Sequence, residues 1–69
     1  ENDFDRADAY YKAALELGSD PAITNYALGV NAYAQNRLED AKAFLNRAKE
    51  SSPDRYGAKV DSLIAKMGK

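Results

Sequence analysis

Residues 2–20 read NDFDRADAYYKAALELGSD and residues 36–54 read NRLEDAKAFLNRAKESSPD; at an offset of 34 they align without a gap. Ala7, Ala14 and Glu16 meet Ala41, Ala48 and Glu50, and Tyr11 meets Leu45. Asn2, Phe4, Ala9, Tyr10 and Asp20 meet Asn36, Leu38, Ala43, Phe44 and Asp54 in the same register. Small residues therefore fall on small and large apolar on large. A fixed period of this length marks stacked supersecondary units, none of which can bury its apolar face alone, and it implies a surface for holding partners rather than a pocket for chemistry.

The units are helical. Phe4, Ala7, Tyr10, Tyr11, Ala14, Leu15 and Leu17 recur at the three-and-four spacing of one helical face, which predicts a first helix from about Asp3 to Leu17. Asp3, Asp5 and Asp8 lie where the helix dipole favours negative charge, and Gly18 supplies the stop. Asp20-Pro21 opens a second helix as cap and first helical residue, ending near Gln35-Asn36. A third runs from about Leu38 to Ser51, with Glu39 and Asp40 at its start and Arg47 and Lys49 near its end. Ser52-Pro53-Asp54 begins a fourth, which reaches about Met67 on the stripe Val60, Leu63, Ile64 and Met67. Gly57 and Gly68 make this last helix the expected weakest element. Two-residue alternation is absent throughout, so a sheet is not expected.

Sixty-nine residues make one domain at most, with a thin core. The chain has no cysteine and no histidine, which removes disulfides and Cys/His zinc sites as staples, and stability must come from helix packing or neighbouring protein. Cysteine absence fits cytosol and periplasm alike. Residues 1–35 carry two basic and six acidic side chains, net −4, and residues 36–69 carry eight basic and five acidic, net +3. Such a dipole suits head-to-tail stacking, although mixed-sign helix surfaces ordinarily serve solubility. No apolar run approaches the roughly 18 residues of a membrane span, so membrane insertion is not expected, and no signal-peptide pattern is visible. The first residue is not methionine, as expected of an excised or processed piece.

Catalysis has little support: without His or Cys, the commonest general base and the best nucleophile are missing, and Ser19, Ser51, Ser52 and Ser62 have no evident activating partner. The acidic cluster between Asp3 and Asp8 lacks the turn glycine and distal glutamate of a calcium loop, and reads as helix-start acids. Gly18, Gly29, Gly57 and Gly68 are isolated, so no phosphate loop and no cofactor site is indicated. Arg37, Lys42, Arg47, Lys49, Arg55, Lys59, Lys66 and Lys69 make the second half basic. On the third helix, however, Lys42, Arg47 and Lys49 do not share the three-and-four spacing as a set, and no aromatic interleaves with the exposed positions. Nucleic-acid binding is accordingly not expected.

Residues 22–55 resemble one complete tetratricopeptide repeat. Leu28-Gly29 matches the family's Leu-Gly pair on the first helix, Ala41 and Ala48 the small positions of the second, Leu45 its large apolar position and Pro53 the closing proline. Asn25 replaces an aromatic, Ala32 with Tyr33 alongside replaces a tyrosine, and Asn36 replaces the turn glycine, a mild change because Asn tolerates the left-handed conformation. Pro21 lies two residues later in its repeat than Pro53, so the first connection is expected to be longer. The resemblance implies an all-α, right-handed, antiparallel helix-turn-helix array (an α-α superhelix) of about four helices, forming a single domain over residues 1–69. Residues 1–21 read as the second helix of a partial repeat, 22–55 as the complete repeat and 56–69 as a following or capping helix.

In that family ligands lie against the concave side, lined by the first helix of each repeat. Carried over position by position, this implies a partner-binding stripe of Ile23, Tyr26, Ala27, Val30, Tyr33 and Ala34. Its apolar and aromatic content suits a helix or an extended apolar peptide of a protein partner. The Lys, Arg and Asn clamp that the family uses for C-terminal carboxylates is missing there. The competing expectation is that Tyr26, Val30 and Tyr33 pack as ordinary core against the first or fourth helix. A second functional expectation is self-association into a homo-oligomer: Phe4, Tyr10, Tyr11 and Leu15 cannot all face one neighbouring helix, so some should stay exposed or be covered by another copy.

Overall fold

The computed structural model of the chain describes residues 4–67. Expectations resting on Asn2, Asp3 and Gly68 fall outside the described residues. Four helices follow in order, α1 (Phe4–Glu16), α2 (Pro21–Ala34), α3 (Leu38–Ser51) and α4 (Pro53–Met67), with no strand among the described residues.

Local chemistry sets each boundary. Gly18 has φ +93°, and the Ser19 N–H donates to the Ala14 carbonyl at 3.0 Å, closing α1 with a left-handed residue and a six-to-one hydrogen bond. Asn36 repeats the device at φ +65°, with Arg37 N–H donating to the Ala32 carbonyl at 2.9 Å. At the start of α2, Asp20 Oδ1 accepts from the Ala22 N–H at 2.9 Å, satisfying a donor that the helix cannot. The α1–α2 connection spans residues 17–20, whereas Ser52 alone joins α3 to α4, so the first connection is indeed the longer.

Consecutive helices pack in pairs, and α2 also touches α4. The large side chains with no appreciable exposure are Leu28, Leu45 and Val60, one each from α2, α3 and α4. Around Leu45 and Val60 lie Ala22, Ala32, Ala41, Ala48, Tyr56 and Met67, with Tyr26, Tyr33, Leu38, Leu63 and Ile64 half-buried against them. No residue of α1 is buried. The core is thus a three-helix core, and α1 leans on it from outside.

The α2–α3 crossing is the tightest point. A Cβ placed on Gly29 would stand 2.6 Å from both Cγ and Cδ2 of Leu45 and 3.3 Å from the Ala41 carbonyl oxygen. Leu45 is fully buried and cannot swing aside, and Ala41 and Ala48 on the facing helix are also at 0% exposure. One member of this interface does not fit it. Asn25 is only 6% exposed, and its Oδ1 accepts no hydrogen bond. A buried acceptor without a donor costs about 1–3 kcal/mol.

Enlarging Gly29, Ala41 or Ala48 to Leu should destabilise by about 1–3 kcal/mol through overpacking, read as a drop in denaturant midpoint. Unchanged midpoints for all three would refute the close approach. Asn25→Leu should move the midpoint the other way, by about 1 kcal/mol, because it removes the orphaned carbonyl while keeping the branched shape of the side chain. A loss of stability there would mean that the carboxamide is satisfied in solution or that the bulkier side chain overpacks the interface.

Candidate partner-binding site

The six stripe residues divide between two environments. Ile23 and Val30 are 50% and 39% exposed, Ala34 is exposed and Ala27 half-buried, and these four stand four, three and four residues apart on α2. Tyr26 and Tyr33, seven residues apart, turn toward the core. The Tyr26 ring stacks on that of Tyr56 in α4, with centroids 4.8 Å apart and planes 28° from parallel. Arg55 and Lys59 each sit 5.8 Å from the Tyr56 centroid, so the aromatic pair is walled by cations on the α4 side.

The exposed part of the stripe forms one wall of a groove whose other wall is α1. Two depressions of about 400 and 360 Å³ lie end to end along the α1–α2 junction and share Tyr11 and Ala27. The first adds Ala7, Tyr26, Val30, Asn31 and Ala34, and the second adds Tyr10, Ala14, Ser19, Asp20, Ile23 and Thr24. Ile23, Tyr26, Ala27, Val30 and Ala34 therefore line the groove, and Tyr33 does not. Tyr10, Tyr11, Ala7 and Ala14 complete it, yet the repeat register alone assigns none of them to the partner stripe. Their signal lay in the surplus of large apolar residues on the first helix. Tyr10 is 70% exposed and Leu17 87%, while Phe4, Tyr11 and Leu15 are half-buried.

Polar groups occupy the ends. Asn31 Nδ2 donates to the Phe4 carbonyl at 3.1 Å, tying the start of α1 to the last turn of α2. At the opposite end Asp20 caps α2, and its second oxygen faces Arg55 Nη1 at 3.5 Å. That pair is exposed on both sides and contributes little. Residues 21–34 carry no charge at all, so the α2 wall is neutral and the groove takes its sign from α1 and the connection. Lys12 pairs with Asp8 at 3.2 Å one turn away.

A further depression of about 240 Å³ borders Asp8, Lys12, Arg37, Asp40 and Arg47. Its charges are of mixed sign, and Arg47 lies 5.6 Å from the Phe44 centroid, so it presents no field of one sign to a ligand. Among the described residues no group of carboxylates is arranged to hold a metal ion, and no helix is long and apolar enough to cross a membrane.

The family model for the tetratricopeptide repeat matches residues 1–67, and the chain belongs to the tetratricopeptide repeat family. Domains of this family are generally non-catalytic scaffolds that mediate protein–protein interaction. No curated protein and no solved structure matches the chain.

Ile23→Ser and Val30→Ser should each cost less than about 1 kcal/mol, because Ile23 and Val30 remain 50% and 39% exposed. Leu28→Ala, at 0% exposure, should cost about 2–5 kcal/mol. Tyr26→Ala should fall between them. Chemical denaturation of the four variants checks the order, and an Ile23 or Val30 cost matching that of Leu28 would make the stripe core.

Proposed function

We propose that the chain is a docking module that holds a peptide or helical segment of a protein partner against the exposed apolar stripe of α2. The observation that carries this reading is the pair Ile23 and Val30, aliphatic side chains 50% and 39% exposed on a helix without a single charge. Ordinary solvent-facing helix surface carries charged residues, and an uncharged, partly apolar face rimmed by polar groups is how interaction sites present themselves. Tyr26 sits at the edge of this face, held by Tyr56. A rigid aromatic of this kind adds contact area at small entropic cost.

Titration with a panel of apolar helical and extended peptides, followed by amide chemical shifts, tests the reading. Binding should perturb Ile23, Ala27 and Val30, and Ile23→Asp or Val30→Asp should weaken it by more than about 1 kcal/mol without lowering the melting midpoint as Leu28→Ala does. A panel whose binders all leave the α2 amides unmoved would remove the proposal.

Self-association is a second reading, favoured by the exposure of Tyr10 at 70% and Leu17 at 87%. Sedimentation across concentrations distinguishes it: a concentration-dependent dimer that Tyr10→Ser abolishes supports assembly, and a monomer of 7.6 kDa at high concentration removes it.

A further inference from the structure

The three-helix core does not depend on α1. Among the described residues every buried one belongs to α2, α3 or α4, and α1 packs on α2 alone. The start of α2 is also secured without it, since Asp20 caps that helix at the Ala22 N–H and faces Arg55 on α4. What α1 adds is half-buried contact from Phe4, Tyr11 and Leu15 and the Asn31–Phe4 hydrogen bond.

The connection offers little restraint. Residues 17–20 are all exposed, Leu17 at 87%, and a Cβ placed on Gly18 would meet nothing within 4 Å. A helix of 13 residues is marginal in water once it loses its neighbour, so leaving α2 means unfolding, and the released chain regains its conformational freedom. The other terminal helix behaves differently. Although α4 is also covered on one side only, it buries Tyr56, Val60 and Met67, stacks Tyr56 on Tyr26 and reaches α2 as well as α3. Its removal would dismantle the core.

We infer that α1 is a detachable cover, unfolding and leaving as one unit while α2, α3 and α4 stay folded together. Its departure bares Ile23, Ala27, Val30 and Ala34 along a helix without charge, so the chain alternates between a grooved and an open-faced form. A ligand touching both walls selects the first form, and one that needs α2 alone selects the second. The opening of α1 is independent of what this face binds.

Hydrogen exchange of the intact chain, followed amide by amide, tests the cover. The amides of Tyr11, Ala14 and Leu15 should share one protection factor, at least about tenfold below those of Leu28, Leu45 and Val60. Val60→Ala destabilises the closed and open forms alike, so it should lower protection in α2, α3 and α4 by about tenfold or more and leave that of α1 unchanged. The unaltered chain supplies a second readout. Brief trypsin treatment should cut after Lys12 well before Lys42, Arg47 or Lys59, because cleavage follows the population of the open form. Protection in α1 equal to that of the core overturns the inference, as does a Val60→Ala effect that spreads to α1. So does α4 exchanging and being cut together with α1, which would mean that the three helices are not one unit. Protection that rises steadily from Asp8 to Glu16 overturns it too, because that is fraying from the end and not the departure of a helix.

Discussion

Everything in this chain hangs on the approach of Gly29 to Leu45. With Leu28, Leu45 and Val60 as the large, fully buried side chains among the described residues, the apolar area removed from water is small, and each such residue contributes about 1.5–3 kcal/mol. What compensates is proximity. The missing Cβ at residue 29 and the methyl side chains of Ala41 and Ala48 bring two backbones close enough for dense dispersion contact along the whole α2–α3 pair. That pair then offers α4 a platform for Tyr56, Val60 and Met67. Loosening the crossing would remove the support of three helices at once.

The parts of this architecture that are local in sequence are legible in it. Gly18 and Asn36 end helices because each occupies the left-handed region, and Asp20 and Pro21 start one because a carboxylate can bond a free N–H and proline has none to lose. The 34-residue spacing is nearly as direct, since Leu28-Gly29, Ala41, Leu45 and Ala48 are constrained by one crossing and must keep their distances. Residues whose fate depends on a second helix are less legible. The repeat register treats Ile23, Tyr26, Ala27, Val30, Tyr33 and Ala34 alike, but α4 crosses beside only one edge of the stripe. Tyr56 lies 30 residues from Tyr26, and no period in the sequence couples the two rings. Asn25 is readable as a departure from the family's aromatic, and its cost is readable only once the helix facing it is in place.

The two ends of the array differ in kind. The exposed residues of α4 include Asp54, Arg55, Lys59, Asp61, Ser62 and Lys66, a face that water solvates readily. Lys49 Nζ meets Asp61 Oδ1 at 2.8 Å across the α3–α4 junction without needing burial. At the opposite end α1 exposes Tyr10, and it shares with α2 a groove walled by alanines, Val30 and Ile23. The outer face of α4 is polar where the α1–α2 groove is apolar.

This asymmetry has an energetic consequence. Since α1 buries no residue fully, its attachment rests on half-buried contacts from Phe4, Tyr11 and Leu15 and on the Asn31–Phe4 hydrogen bond, whose net contribution is about 1 kcal/mol. An element held this weakly opens locally at lower free energy than the α2–α3 pair. Any helix bound in the groove touches α1 and α2 together, so it binds the closed arrangement and not the opened one, and mass action then stabilises α1 in proportion to the logarithm of its concentration. The same small residues that deny α1 a core of its own, Ala7 and Ala14, leave room for a partner to supply one. Weak attachment and an open groove are therefore two results of one sequence choice.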